Sequence, residues 1–491
     1  MRFPIPAQPV SEREYKERLL RHAPGSLVAQ IAATSGSLPD VRDLAAQGLG
    51  PYAPWALLDA AWVSLALGRD DRAPATAADL GEILGLHLAL DDPVTGPDSE
   101  HRLERFLLRV AGQQFTWQED KYAELSRTVA LLVQTPHPED LEVIRPGWDH
   151  RLLGCSVTDY IGVAQLVWAA ATAHPDLRLR GRFRPAWLDD AINWSEFDLI
   201  RSSADLNTVL KRHFVTTRQK LRTRYPVGKD PRLRRYAHNP LRARPLVGGF
   251  KGGYFVPVPA AVLGKASPLG LYYTGGDGGS EQGQAFTRDL GHLFERYVGR
   301  QLGLLPDAEV HPEIRFRLPK KQSGTSVDWI VVFPNLVLLV EVKSTRPGEP
   351  LRLGAANFTD ILNDQLGKAF DQINKSVKRI SSGDHPEFGH IPRDRTMLGM
   401  VITAEHFHQI NTPELRAGFP PADIPVTVAS IHELEQAVTL TGTSLADLLL
   451  ASAAQRGTTL RELFPAYEFL ERNEILEKAW KAIPLTRDRH R

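Results

Sequence analysis

The chain has 491 residues, 42% hydrophobic and 24% charged, with 59 Lys plus Arg set against 58 Asp plus Glu. At roughly 150 residues per domain this length predicts about three domains, each large enough to bury a core, and the composition excludes wholesale disorder, collagen-like repeats and a membrane bundle. The single cysteine, Cys155, excludes an intrachain disulfide framework and a multi-cysteine zinc site and fits a reducing compartment.

The first twenty residues carry Glu12, Glu14 and Glu17 and no apolar core, which is not the pattern of a secretory signal. Apolar runs such as Ala56–Gly68 are too short to span a bilayer, and Asp59 interrupts that one. The expected location is the cytoplasm, with no membrane partner. From residue 1 to about Arg184 the pattern is helical. Trp55–Leu67, Ala78–Leu90, Arg102–Gln113, Lys121–Val133 and Val157–Ala173 each repeat apolar residues at three- and four-residue spacing, with Pro and Gly clusters between them. No fixed-period repeat is present. Residues 1–150 hold 14 Lys plus Arg and 22 Asp plus Glu, a net of −8.

The sign then reverses. Lys211–Arg244 has 12 basic residues and one acid, Asp230, a net of +11. Its first half, about Leu206–Tyr225, reads as a helix and its second half as a loop broken by Pro226, Pro231 and Pro240. Two accounts fit it. Arg218, Arg222, Arg232 and Arg235 contact nucleic-acid phosphates through counterion release, or they pair with the acidic N-terminal region. Pro245–Val247, Tyr254–Val258 and Leu271–Tyr273 read as β-structure, and Gly275–Ser280 as a linker, since it lacks the Lys-Ser/Thr of a P-loop.

Beyond residue 280, helix and strand alternate: a helix Gln284–Leu302, strands in Glu309–Arg317, Ser326–Phe333 and Leu336–Ser344, a long helix Phe358–Ile380, then strands Met397–Thr403 and Val426–Ser430. Residues 431–491 read as helices with a charged tail. The informative segment is the hairpin Ser326–Lys343. With Pro334-Asn335 as its turn, Phe333 pairs with Leu336, and counting back along both strands sets Asp328 opposite Glu341. Lys343 lies two residues beyond Glu341 and projects to the same face. Charges are rarely placed in strands otherwise rich in Val, Leu and Ile without a reason. Two adjacent carboxylates repel, and a hard divalent cation such as Mg²⁺, or Mn²⁺ in its place, removes that cost. An ion there polarises a phosphodiester and lowers the pKa of bound water, with Lys343 placed to orient that water or to stabilise developing charge.

Asp328 followed by Glu341-Val342-Lys343 on the next strand resembles the PD-(D/E)xK nuclease superfamily, the restriction-endonuclease-like fold, over roughly residues 284–405. Val327 stands where that motif often has proline. The resemblance implies an αβββαβ nuclease core and a metal-dependent nuclease acting on DNA. It implies catalytic roles for Asp328, Glu341 and Lys343, a helix acid at Glu295 that joins Asp328 and Glu341 at the metal, and a helix glutamine at Gln372. Lys368, Lys375 and Arg379 share a helical stripe with Gln372, suited to a phosphate backbone. The expected architecture is multidomain α plus α/β: a helical N-terminal domain (1–205), a basic and β-rich connector with a Gly-rich linker (206–280), the nuclease domain (281–430) and a C-terminal helical segment (431–491). DNA is the expected partner, in a role such as defence against foreign DNA. RNA as substrate, a non-catalytic nucleic-acid-binding subunit, and a regulatory protein partner or second copy stand as alternatives. Of the remaining candidates, Glu405–His408 reads as a surface loop, Cys155 as a small core residue, Asp91-Asp92 as a helix-ending turn, and Trp187 and Trp194 as packed residues near Arg182 and Arg184.

Overall fold

A computed structural model describes residues 5–93, 101–173, 180–223, 225, 231–250, 253–276, 279–317, 323–453 and 472–486. Arg224 and Lys229 of the basic segment, Asp277 and Gly278 of the linker, and the tail 487–491 lie outside the described residues. The chain forms two compact units, residues 1–129, 143–286 and 479–491 in the first and residues 130–142 and 287–478 in the second. It mixes helix and sheet in both.

The first unit is mainly helical: α1 (Glu12–Leu19), α2 (Pro24–Ser35), α3 (Pro54–Leu67), α4 (Ala77–Leu88), α5 (Arg102–Gln114), α6 (Lys121–Leu132), α7 (Trp148–Leu153), α8 (Val157–Ala173), α9 (Ser203–His213), α10 (Arg218–Thr223), α11 (Pro240–Ala243), α12 (Pro259–Lys265) and α13 (Pro268–Gly275). The five helices expected before residue 175 are present within two residues of their predicted ends. Helix α3 is apolar all round and is buried from Ala56 to Ala66, at the centre of a core with Tyr15, Leu27, Ile31 and Leu84. Strands β1 (Arg182–Phe183), β2 (Val215–Thr217), β3 (Leu246–Phe250) and β4 (Gly253–Phe255) form a sheet in the order β1-β4-β3-β2. Residues 206–280 are therefore not a separate connector. They belong to the first unit, because β1 pairs with β4 and Thr128 Oγ1 donates to the Ala266 carbonyl at 3.0 Å.

Two predicted elements differ. The basic helix breaks at Val215-Thr216-Thr217, a β-branched run that pairs in parallel with β3 instead. Leu271–Tyr273 is helical, because Ser267 caps α13, accepting from Gly270 N–H at 3.2 Å, and Pro268 occupies its first turn.

The basic segment turns inward. Arg234 is buried, and its guanidinium donates to Glu12 at 2.5 and 3.1 Å and to Asp59. Tyr15 donates its hydroxyl to Asp59 at 3.2 Å. Burial alone would raise the Asp59 carboxyl, but Arg234 and His87 outweigh it and hold it well below the usual carboxylate range. Arg234→Gln leaves two acids buried without their cation, which costs about 3–5 kcal/mol. Chemical denaturation is expected to register that loss, and a change below about 1 kcal/mol would mean that water already serves both acids.

The second unit is built on a five-stranded sheet, order β11-β10-β9-β8-β5, beside a two-stranded β6-β7 ladder. Its elements are the greater part of α14 (Glu281–Leu302), β5 (Glu309–Pro312), β6 (Arg315–Arg317), β7 (Ser323–Thr325), β8 (Trp329–Val332), β9 (Leu336–Lys343), α15 (Glu349–Arg352), α16 (Phe358–Leu362), a π-helical turn Asn363–Gly367, α17 (Lys368–Ser382), β10 (Thr396–Thr403), α18 (Pro413–Arg416), β11 (Val426–Ser430), α19 (Ile431–Ala437) and α20 (Leu445–Ala453). The first expected strand is split into β5 and β6, and the long helix carries the π turn. β9 is antiparallel to β8 and parallel to β10, so it is paired on both edges, and it is buried from Leu336 to Val342. A β-carbon at Gly299 would collide with the Trp329 indole, which is how α14 lies close on β8.

Candidate active site

The hairpin closes as its sequence predicts. Phe333 N–H donates to the Leu336 carbonyl at 2.8 Å, and the ladder runs from Val332↔Val337 to Trp329↔Val340. Asp328 is the next residue, at the position opposite Glu341. The backbone ladder stops there, and the Asp328 side chain takes its place. Its Oδ2 accepts from Val342 N–H at 2.6 Å, which satisfies an amide that the strand leaves over. Glu341 is 5% exposed. Its Oε1 accepts from Lys343 Nζ at 2.7 Å, while its Oε2 is buried with no hydrogen-bond partner. The hairpin thus brings two carboxylates and an ammonium together at the end of β9.

Helix α14 adds Glu295, half-buried, and the Trp329 indole N–H donates to the Glu295 carbonyl at 3.1 Å, tying that turn to β8. The acids sense one another. Burial and the Asp328 charge push the Glu341 carboxyl up to about 7, against the pull of Lys343. Burial, then Asp328 and Glu313, push Glu295 up to about 7. Burial also raises Asp328, opposed by the Val342 amide and Lys343. Removing charged oxygens from water without enough donors has this effect, and a cation reverses it. The unpartnered Glu341 oxygen and an all-oxygen donor set fit a hard divalent ion, with Asp328 and Glu341 as ligands and Glu295 beside them.

Two residues at this site were not foreseen. Glu313 follows β5, and its charge acts on both Glu295 and Asp328. Ser376 on α17 is buried, and its Oγ accepts from Val327 N–H at 3.0 Å, which fixes the backbone just before Asp328. Gln372 lies one turn earlier and does not present its amide to the acids. Its Nε2 donates to the carbonyls of Thr325 and Ser326 at 2.8 and 2.7 Å, so its part is to hold the approach to β8. Lys368 and Lys375 are exposed on the same helix, as a phosphate-contacting stripe requires. Arg379 departs from the stripe. It is half-buried, with Nη1 3.2 Å from His385 Nε2 and its guanidinium over the Phe316 ring.

The four arginines expected to meet phosphate from the basic segment lie in the first unit and follow the intramolecular account. Arg218 bonds Asp70 at 2.5 Å, and with Arg222 it donates to carbonyls at the C-terminal end of α3, Leu65 and Gly68 for Arg218 and Gly68 for Arg222. Arg235 donates to Asp92 at 3.2 Å, and Arg232 lies 3.8 Å from Asp91. Opposite charges within one unit explain the correction, and none of the four is assigned to nucleic acid. The Asp91-Asp92 pair is thereby an anchor for that segment as well as a turn.

Cys155 is buried. Arg184 lies over the Trp187 ring, and Trp194 packs against Phe197. His406 and His408 are half-buried rather than on an open loop, with His406 Nε2 3.3 Å from Ser430 Oγ and Nδ1 3.5 Å from Glu433 Oε2. No helix among the described residues is long and apolar enough to cross a membrane. Compared with protein-family models, with curated proteins and with solved structures, the chain matches none of them.

Proposed function

We propose that the second unit is a divalent-metal-dependent nuclease that hydrolyses DNA phosphodiester bonds, with the restriction-endonuclease-like core its sequence resembles. The observation that carries this reading is the register of β8 on β9, which aligns Asp328 with the buried, half-unpartnered Glu341 and sets Lys343 at its side. Asp328 and Glu341 would hold Mg²⁺, with Mn²⁺ as a substitute and Glu295 as the neighbouring acid. The bound ion would supply Lewis acidity toward the phosphate and an acidified water.

The protein's own groups do the rest. Lys343 stays an ammonium, because Glu341 Oε1 accepts from it, and it offers its remaining protons to the non-bridging oxygens of a phosphate as negative charge builds there. Ser376 and Gln372 keep the residues before Asp328 from shifting, so its carboxylate is preorganised. Lys368 and Lys375 attract the backbone of the bound strand.

The test is digestion of a substrate panel by the full-length protein, with Mg²⁺ and with chelator. Supercoiled, linear and single-stranded DNA and RNA are compared. Metal-dependent loss of DNA supports the reading, and nicking of the supercoiled form marks an endonuclease. Cleavage of RNA alone would replace the substrate, and binding without cleavage in any metal would make the unit a clamp.

A further inference from the structure

Three acids stand in one row across the sheet. β5 pairs with β8 through Glu309↔Val332, Val310↔Val331, His311↔Ile330 and Pro312↔Trp329. The next position sets Glu313 opposite Asp328, just as the β8–β9 register sets Asp328 opposite Glu341. Residues in register on neighbouring antiparallel strands project to one face. The row is clamped directly after Glu313. Ser326 N–H donates to the Ile314 carbonyl at 3.0 Å, and Ile314 N–H donates to Ser326 Oγ at 2.8 Å. Glu313 has an ion pair with Arg315 at 3.9 Å, but that arginine is 83% exposed, so the pair is weak. At the far end of the row the unpartnered Oε2 belongs to Glu341, which is 95% buried.

We propose that Glu313 is a ligand of a second divalent cation, held with Glu295 and Asp328 beside the ion of Asp328 and Glu341. The inference rests on the nuclease reading of the same site. Charge decides between one ion and two. Asp328, Glu341, Glu295 and Glu313 against Lys343 give a net of −3 when all are ionised. One divalent ion leaves −1, which repels a phosphodiester. Two leave +1, which attracts it and spreads the charge over attacking and leaving oxygens.

The test counts bound Mn²⁺ in the full-length protein by electron paramagnetic resonance of the free ion. Wild type is compared with Glu313→Gln, Asp328→Asn and Glu309→Gln. Glu309 lies on the same strand with its side chain 79% exposed and serves as the control. Wild type and Glu309→Gln are expected to bind two ions at this site, Glu313→Gln one, and Asp328→Asn neither. Cleavage by Glu313→Gln should fall roughly tenfold or more, with its circular dichroism unchanged. Should that variant melt early, Glu313→Asp keeps the charge and is expected to retain both ions, the second bound more weakly. Equal ion counts in wild type and Glu313→Gln overturn the inference. If wild type binds one ion and Asp328→Asn removes it, the second ion fails and the nuclease reading stands. If Asp328→Asn changes neither binding nor cleavage, the nuclease reading fails and this inference falls with it.

Discussion

Lys343→Ala is expected to lose at least about 10²-fold in cleavage rate while still binding DNA and Mg²⁺. The lysine is half-buried at the end of β9, and its one hydrogen-bond partner among the described residues is Glu341. Removing it deletes a preorganised positive charge where the phosphate gains negative charge, an effect that oxyanion-stabilising groups supply at about 10²–10³-fold. Phosphate attraction by Lys368 and Lys375 is untouched, so affinity should hold. Arg in its place keeps the charge but not the compact ammonium, and it should restore only part of the rate. The measurement is single-turnover cleavage alongside an equilibrium binding isotherm. A variant that binds tenfold more weakly yet cleaves at the normal rate once saturated would make Lys343 a binding residue instead.

Glu341→Gln is expected to lose cleavage and gain stability. In the folded chain this carboxyl is pushed up to about 7 from an ordinary 4.5. A raised acid holds its proton longer in the folded state than in the unfolded one. Stability from this source is fully present below pH 4.5, and it is lost as pH rises through 7. At 1.36 kcal/mol per unit the loss is up to about 3 kcal/mol at pH 8. Glutamine carries no charge to bury, so without metal the variant should melt several degrees above wild type at pH 8 and level with it at pH 4. Adding Mg²⁺ at pH 8 should raise the wild-type melting temperature and leave the variant's unchanged. A residue that costs stability until its ligand arrives is what a functional site predicts. A less stable Glu341→Gln at pH 8 would make the Glu341–Lys343 pair a structural ion pair.

The catalytic hairpin was legible because its turn is two residues long. Once Pro334-Asn335 closes the loop, the pairing of Asp328 with Glu341 follows from counting. Glu313 was not legible for the same reason reversed. Residues 314–327 separate it from Asp328 and include the β6–β7 ladder, so no turn sets that register from sequence. Gln372 was placed correctly on its helix, but its amide is taken by two backbone carbonyls that only the fold brings to it. The basic segment misled in another way. Its charge was plain, whereas its partners Glu12, Asp59, Asp70 and Asp92 are more than 140 residues away in the chain. Within that segment, charge patterning also masked the β-branched Val215-Thr216-Thr217 that becomes β2. Local patterns announce periodicity and short turns, while long-range electrostatic pairing needs the tertiary structure.

The most direct measurement is cleavage of supercoiled plasmid DNA in Mg²⁺ by wild type and by Asp328→Ala, run in parallel with thermal melts. Asp328 sits where β8 meets β9, and its loss should remove a metal ligand while leaving the hydrophobic ladder from Trp329 to Val332 intact. The expected result is metal-dependent cleavage by wild type, none by Asp328→Ala, and melting temperatures within a few degrees of each other. Equal cleavage by a well-folded Asp328→Ala protein, or none by wild type in Mg²⁺ or Mn²⁺, would contradict the assignment of a nuclease site to this hairpin.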